Sequence, residues 1–295
     1  MKISIVIPSY KNKEMLIRNL EHNLPYLEGH EIIVVNDYPP ESLQNEMKKF
    51  PAVTLIENKI NLGFGSSVNK GVSQAHHEYV FLLNTDVKLN NTNFMNAVEH
   101  LKKDSKLFAV TLSQKEKNGE IVGKNVLFWK RGLLFHKKAS LMTSGVTAWF
   151  EGGSAIVSKK LFEELGGFDP IFKPFYWEDI DLSYRAWKKG YAIFFDQEIQ
   201  VTHEHESTIG TYFDQNSIKR IAFRNQFICI WKNISDANLV YSHYLLLPFN
   251  LLYYVIKGEI NFVLGFIDAL KYIENIRKQK NTLCSDHEIL KLFYE

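Results

Sequence analysis

Residues 79–86 read Tyr79-Val80-Phe81-Leu82-Leu83-Asn84-Thr85-Asp86, an apolar strand that stops on a polar loop. Working toward the N-terminus, helix-like and strand-like segments alternate. A helix runs through Ala75, a Gly/Asn-rich loop occupies 58–65, and residues 53–56 form a short strand. Residues 41–49 are helical, 31–35 β-rich, 13–24 carry helical spacing, and 3–7 make a first strand before Pro8. Such alternation predicts an α/β fold: a mainly parallel sheet flanked by helices, with ligands at the C-terminal ends of the strands. Pro8-Ser9-Tyr10, Asn36-Asp37, the 58–65 loop and Asn84-Thr85-Asp86 each follow a strand, so they are expected to converge on one edge.

On the C-terminal side the pattern degrades. Residues 114–148 mix Lys, Gly and Phe without a clear period and read as a mobile or acceptor-side insertion. Regularity returns with Gly152-Gly153-Ser154-Ala155-Ile156-Val157, a helix over 159–165, a turn at Gly166-Gly167-Phe168-Asp169 and a helix opening near Trp177. Strand-like segments at 191–195 and 199–202 lead to His203. The division expected is a catalytic domain over residues 1–212 and a C-terminal helical region over 213–295.

Within that region, residues 239–256 form an 18-residue apolar-rich stretch containing His243, Pro248 and Asn250, at the lower edge of a bilayer span. Lys257-Gly258-Glu259 interrupts the apolar composition, and a basic run follows over 271–280. This order suits a surface-lying helix pair docked on anionic lipid. A helical subdomain packed on the core fits it equally.

The formal charge of the 295-residue chain is 35 − 33 = +2, with 45% hydrophobic and 23% charged residues. This is the composition of an ordinary globular protein, and it argues against disorder and against nucleic acid as a partner. Cys229 and Cys284 have no CxxC spacing and fit a reducing compartment. The apolar run before Pro8 is too short for the core of a secretory signal, so a cytoplasmic location is expected, with docking at the inner face of the plasma membrane if the apolar helices meet lipid.

Several residues can carry chemistry. Asp86 would stand at the sheet edge, where a hard divalent cation bridging a diphosphate could use its oxygen; an Asp after a strand is also a common turn former. Trp177-Glu178-Asp179-Ile180-Asp181 places three carboxylates at a helix start. Asp181 can pair with Arg185 at i, i+4, and first-turn acids favour the helix dipole. The aromatic run Phe172, Phe175, Tyr176 and Trp177 would give Asp179 apolar walls suited to a sugar ring and to tuning of a base. His203-Glu204-His205-Glu206 offers an HxH pair, though strand period alone aligns two such side chains. Gly63-Phe64-Gly65 lacks the third glycine of a dinucleotide fingerprint and does not follow the first strand.

In order, the motifs Ser4-Ile5-Val6-Ile7-Pro8-Ser9-Tyr10, Val34-Val35-Asn36-Asp37, Asn61-Leu62-Gly63-Phe64-Gly65 with Asn69 and Gly71, Leu82-Leu83-Asn84-Thr85-Asp86, Gly152-Gly153, Gly166-Gly167-Phe168-Asp169, Trp177-Glu178-Asp179-Ile180-Asp181 and His203 resemble family 2 glycosyltransferases of the A-type fold, nearest their rhamnosyltransferase-like branch. Arg224-Asn225 is similar to that branch as well. The resemblance implies that Pro8 and Tyr10 border the nucleotide base and that Asp37 accepts from a pyrimidine N3–H. Asn61, Gly63, Asn84 and Thr85 complete the nucleotide-binding set, with Asn84 standing where the family's motif carries its first acid. Asp86 and His203 would hold Mg²⁺ or Mn²⁺, Asp179 would be the catalytic base, and Gly152, Gly153, Trp177 and Glu178 would face donor and acceptor. The implied reaction is inverting transfer from a UDP- or dTDP-linked sugar to a glycan or lipid-linked glycan, as in bacterial surface polysaccharide synthesis. A sugar-nucleotide pyrophosphorylase would need a Gly- and Arg-rich phosphate loop after the first strand, which Pro8-Ser9-Tyr10-Lys11-Asn12 does not supply. A catalytically silent carbohydrate-binding or membrane-tethering homologue would have lost the base or the metal acid.

Overall fold

The computed structural model describes residues 1–204, 208–278 and 282–293. Its first part alternates as expected: β1 (Ser4–Ser9), α1 (Lys13–Asn23), β2 (Glu31–Asn36), a single-turn α2 (Gln44–Met47), β3 (Val53–Glu57), α3 (Phe64–Gln74) and β4 (Tyr79–Leu83). Then come β5 (Val87–Leu89), α4 (Met95–Lys103), β6 (Leu107–Glu116), β7 (Ile121–Val122), β8 (Asn125–Lys130), β9 (Leu133–Lys138), β10 (Gly145–Val146), β11 (Ser154–Ser158), α5 (Lys159–Glu164), α6 (Glu178–Lys188) and β12 (Ala192–His203). The helices α7 (Thr208–Tyr212), α8 (Gln215–Asn233), α9 (Ala237–Ile256), α10 (Ile260–Leu270) and α11 (Asp286–Lys291) complete the chain.

The main sheet has the order β10-β12-β6-β11-β4-β1-β2-β3. β1 runs parallel to both β2 and β4, β2 runs parallel to β3, and β12 runs parallel to β6. β11 is antiparallel to its neighbours β4 and β6, so it makes the sheet mixed. This topology decides where the site lies. Two antiparallel steps restore direction, so β4, β6 and β12 end at the same edge, while β11 begins there. Gly152 and Gly153 precede a strand and still reach the edge occupied by loops that follow strands.

Side chains alternate across β1: Ile5 and Ile7 go to one face and Val6 to the other. Leu16 and Leu20 of α1, four apart and so on one helix face, cover the first together with Ala97, Val98 and Leu101 of α4. Val68 and Val72 of α3 cover the second, where the core continues through Ile180 and Leu182 of α6 into Phe227, Ile228 and Ile230 of α8. The C-terminal helices thus share the core of the sheet, as the packed-subdomain reading expects, while the outer face of α9 stays exposed.

Residues 114–148 differ from expectation, because they hold the end of β6, β7, the β8–β9 hairpin and β10. Arg131 (φ 52°) and Gly132 (φ 76°) make its two-residue turn, the positive-φ pair that matches strand twist. Asn125, Val126 and Leu127 are buried in succession. Burial falls off along each strand, from Asn125–Leu127 to the exposed Lys130 in β8 and from Leu133 and Leu134 to the exposed residues 136–138 in β9, so no period of two is left. The expected strands at 191–195 and 199–202 are one strand, β12, with its register shift against β6 between Asp196 and Gln200. The expected helix over 41–49 shrinks to the single turn α2.

Candidate active site

A cleft of about 330 Å³ opens at this edge. Thirteen of the fourteen residues expected at the site line it: Pro8, Tyr10, Asp37, Asn61, Gly63, Asn84, Thr85, Asp86, Gly152, Gly153, Glu178, Asp179 and His203. The exception is Trp177, which is buried and packs edge-on against His136, 5.1 Å between ring centroids. It supports the α6 N-terminus from behind. Phe175 and Tyr176 supply the aromatic walls, with Phe213 from the segment after α7, and Phe172 is buried in the core.

Asp37 first organises the chain around it. Its Oδ1 accepts from Asn58 Nδ2 at 2.9 Å and Leu62 N at 2.7 Å, and its Oδ2 from Gly63 N at 2.8 Å. A carboxylate offers about four lone-pair sites, so one at Oδ2 is left to accept a further donor from the cleft.

Asp86 Oδ2 lies 3.2 Å from His203 Nε2, and the opposite ring nitrogen, Nδ1, lies 2.9 Å from Glu116 Oε1. Burial opposes a charged ring, but the hydrogen bonds to Asp86 and Glu116 outweigh it and push the His203 pKa up to about 9. Asp86 Oδ1 is buried with no hydrogen-bond partner. An orphaned carboxylate oxygen beside an imidazole held by a second carboxylate fits a divalent cation, and bound cation would replace the imidazole proton, since imidazole ligates only when neutral. Among the described residues no group of three His, Cys, Asp or Glu forms a complete metal cage. His205 and Glu206 lie outside the described residues.

The acid pair begins α6, and the backbone there is unusual. Tyr176 (φ 71°) and Trp177 (φ 76°) are both left-handed, a conformation costing ~1–3 kcal/mol at a non-glycine residue and persisting where the surroundings enforce it. Asn225 of α8 is part of that enforcement: its amide donates to the carbonyls of Phe172, Phe175 and Tyr176 at 2.9, 2.9 and 2.8 Å. The turn aims Glu178 and Asp179 into the cleft. Burial, then the nearby Glu151 carboxyl, raise the Asp179 pKa to about 7 against the opposing hydrogen bonds of backbone N–H groups, those of Ile180 and Gly152 among them. Glu178 is raised well above the ordinary range by burial and by Asp179, and its Oε2 has no partner. Asp181, the third acid, has a structural role: fully buried, it accepts from Arg185 Nε at 2.8 Å, Lys232 Nζ at 3.0 Å and Asn233 Nδ2 at 2.8 Å.

The glycine pair also has a reason other than the expected close approach of sugars. A Cβ on Gly153 would overlap the Asn84 side chain, and one on Gly152 would press on the Phe64 ring at 3.2 Å. Glu116, Glu151 and Asn125 escape the sequence reading. Glu151 lines the cleft, accepts from Asn125 Nδ2 at 2.6 Å, and is itself raised by burial. None of the three sits in a recognisable motif; the acid directly before Gly152-Gly153 was the available signal.

The family model for glycosyl transferase family 2 matches residues 4–166. Among curated proteins, the chain is 26% identical over 219 residues to a poly-beta-1,6-N-acetyl-D-glucosamine synthase of Staphylococcus epidermidis, covering 72% of this chain and 52% of that protein. It is 26% identical over 196 residues to the synthase of the same name from Staphylococcus aureus, covering 65% and 47%. The chain thus spans about half the length of these curated relatives. Among solved structures, it is similar to GalNAc-T7 with UDP, GalNAc and Mn²⁺ (TM-score 0.61, 14% identity, covering 78% of this chain and 47% of that one). It is also similar to the mannosyltransferase PcManGT from Pyrobaculum calidifontis with GDP-Man and Mn²⁺ (0.56, 12%, 92% and 88%) and to S. aureus TarS 1-349 (0.56, 16%, 94% and 81%). At these identities the structural likeness speaks for the fold, and it is the A-type fold expected. With the family model covering more than half of its length, the chain belongs to glycosyl transferase family 2.

Proposed function

We propose that the protein transfers a sugar, with inversion at the anomeric carbon, from a UDP- or dTDP-linked donor to a hydroxyl of a glycan or lipid-linked glycan. Bacterial surface polysaccharide synthesis, on the cytoplasmic side where nucleotide sugars are made, is the setting that suits this reaction. The observation carrying the reading is that Asp37, the Asp86–His203 pair and Asp179 meet in one cleft. The likeness to a polysaccharide synthase and to glycosyltransferases holding UDP or GDP-Man with Mn²⁺ supports it.

In this account Pro8 and Tyr10 flank the base, and the unused Oδ2 lone pair of Asp37 accepts the pyrimidine N3–H. Asp86 and His203 would hold Mg²⁺ or Mn²⁺, which when bound supplies positive charge to the departing diphosphate. Asp179, oriented by its backbone donors, accepts the proton of the acceptor hydroxyl. That oxygen forms its bond to the anomeric carbon as the bond to the diphosphate breaks on the opposite face. In this reading residues 1–212 carry the chemistry, and residues 213–295 brace it and lend Phe213 to the cleft wall.

A panel of nucleotide sugars assayed for hydrolysis with Mn²⁺, Mg²⁺ or EDTA tests the reading. Metal-dependent release of UDP or dTDP from one donor is expected. Tight nucleotide binding without turnover of any donor or acceptor would favour the catalytically silent homologue.

A further inference from the structure

α9 has apolar residues on both faces, and only one face is used by the fold. On the inner side the buried His243 and Asn250 are tied to the β8–β9 turn, through Gly132 O at 2.7 Å from His243 Nδ1 and Arg131 O at 2.8 Å from Asn250 Nδ2. Trp129 Nε1 adds a bond to Ser242 Oγ at 3.1 Å, and Trp231 Nε1 one to His243 Nε2 at 2.9 Å. On the outer side Tyr241, Leu245, Phe249, Leu252 and Ile256 recur every three or four residues in a single stripe, 51–74% exposed. Ile260 and Ile267 are likewise exposed on α10, which packs against α9. An exposed apolar stripe running the length of a helix is uncommon on a surface that meets only water.

The rim of the stripe names its occupant. Lys257 caps α9 with its ammonium 5.9 Å from the Tyr253 ring, Lys271 caps α10 and pairs with Asp268, and the exposed Arg277 and Lys278 follow in sequence with Glu274 as an acid among them. The acids Glu259 and Asp268 are each held by a base, from Lys219 and Arg220 at 2.7 and 2.5 Å. Tyr241, Tyr244 and Tyr253 add exposed rings with polar tips, the side chains favoured at the boundary between headgroups and acyl chains. Apolar stripe, aromatic border and basic rim together match a bilayer surface carrying anionic phospholipid.

By length and composition the 20-residue α9 could also cross a membrane. The side-chain bonds of His243 and Asn250 favour a surface-lying helix instead, because they hold it lengthwise on the protein with one face against a polar hairpin turn. We propose that α9 and α10 dock the protein in the plane of an anionic membrane surface, with the Tyr241–Ile256 stripe in the headgroup–acyl boundary. This stands independently of the catalytic reading.

Flotation of the full chain with preformed vesicles tests it, using phosphatidylcholine alone and phosphatidylcholine mixed with phosphatidylglycerol. Binding is expected with the anionic vesicles at low salt and should weaken at high salt. Phe249→Glu with Leu252→Glu should abolish it while leaving the melting temperature and nucleotide binding unchanged, since both side chains are exposed. Lys257→Glu with Lys278→Glu, which leaves the apolar stripe intact, should lower binding to anionic vesicles roughly tenfold or more and so tests the electrostatic half by itself. Three results would overturn the proposal: no flotation of the wild type with anionic vesicles at low salt, extraction from cell membranes by detergent alone, or a wild-type dimer that the Phe249/Leu252 variant dissociates while no vesicle is bound.

Discussion

Asp86 and His203 meet at 3.2 Å across the sheet edge, with one Asp86 oxygen on the imidazole and the other buried and unpartnered. β5 and β12 bring them together: their antiparallel pairing sets His203 opposite Val87, next to Asp86 in sequence. The pair is therefore built into the sheet's hydrogen-bond ladder rather than hung on a loose loop.

If Asp86 supplies a metal ligand, Asp86→Asn should bind nucleotide in Mn²⁺ only as tightly as the wild type binds it in EDTA. Titration calorimetry with UDP and dTDP measures both. Unchanged affinity of the variant in Mn²⁺ would take Asp86 out of the metal site.

Asp181 carries a stability prediction. It pairs with Arg185 and Lys232 inside the core; Lys232 keeps Asp169 at 2.5 Å, so Asp181→Ala strips the buried Arg185 of its carboxylate partner, a loss of ~3–5 kcal/mol for breaking such a pair. Denaturant unfolding checks this, and a loss well under 1 kcal/mol would show that the network is not needed to hold α6 on α8.

Much of the site was legible because the first four parallel strands each deliver a short loop directly: Pro8-Ser9-Tyr10, Asn36-Asp37, Asn61 to Gly63, and Asn84-Thr85-Asp86 all reach the cleft. Glu116 was not legible, because it acts through His203 and is brought there only by the β6–β12 pairing. Glu151 depends on β11 running antiparallel, which alternation of helices and strands does not foretell. The β8–β9 hairpin was lost for a different reason: burial changes along its strands rather than across them, which leaves no polar alternation. Trp177 was misjudged because it is buried against His136 of β9, a partner that the aromatic run does not reveal.

The acidity of Asp179 gives the activity a defined pH response. A base must be ionised, and with a pKa of about 7 its carboxylate fraction falls as pH drops below that value, so kcat/KM should decline roughly tenfold per unit on the acid side. Glu151→Gln removes a group that raises Asp179, so the acid limb should move to lower pH. A limb that stays in place or moves up in the Glu151 variant would show that Glu151 does not set the base.

Asp179→Asn is the most direct test of the account. The substitution keeps the side chain's size and removes its basicity. Transfer turnover should fall ~10²-fold or more, with the dissociation constant for UDP or dTDP unchanged. Glu178→Gln, measured beside it, should do less harm, because Glu178 opens α6 as a first-turn acid and Gln keeps its size there. Near-wild-type transfer by Asp179→Asn, or a deeper loss in Glu178→Gln, would contradict the assignment of Asp179 as the base.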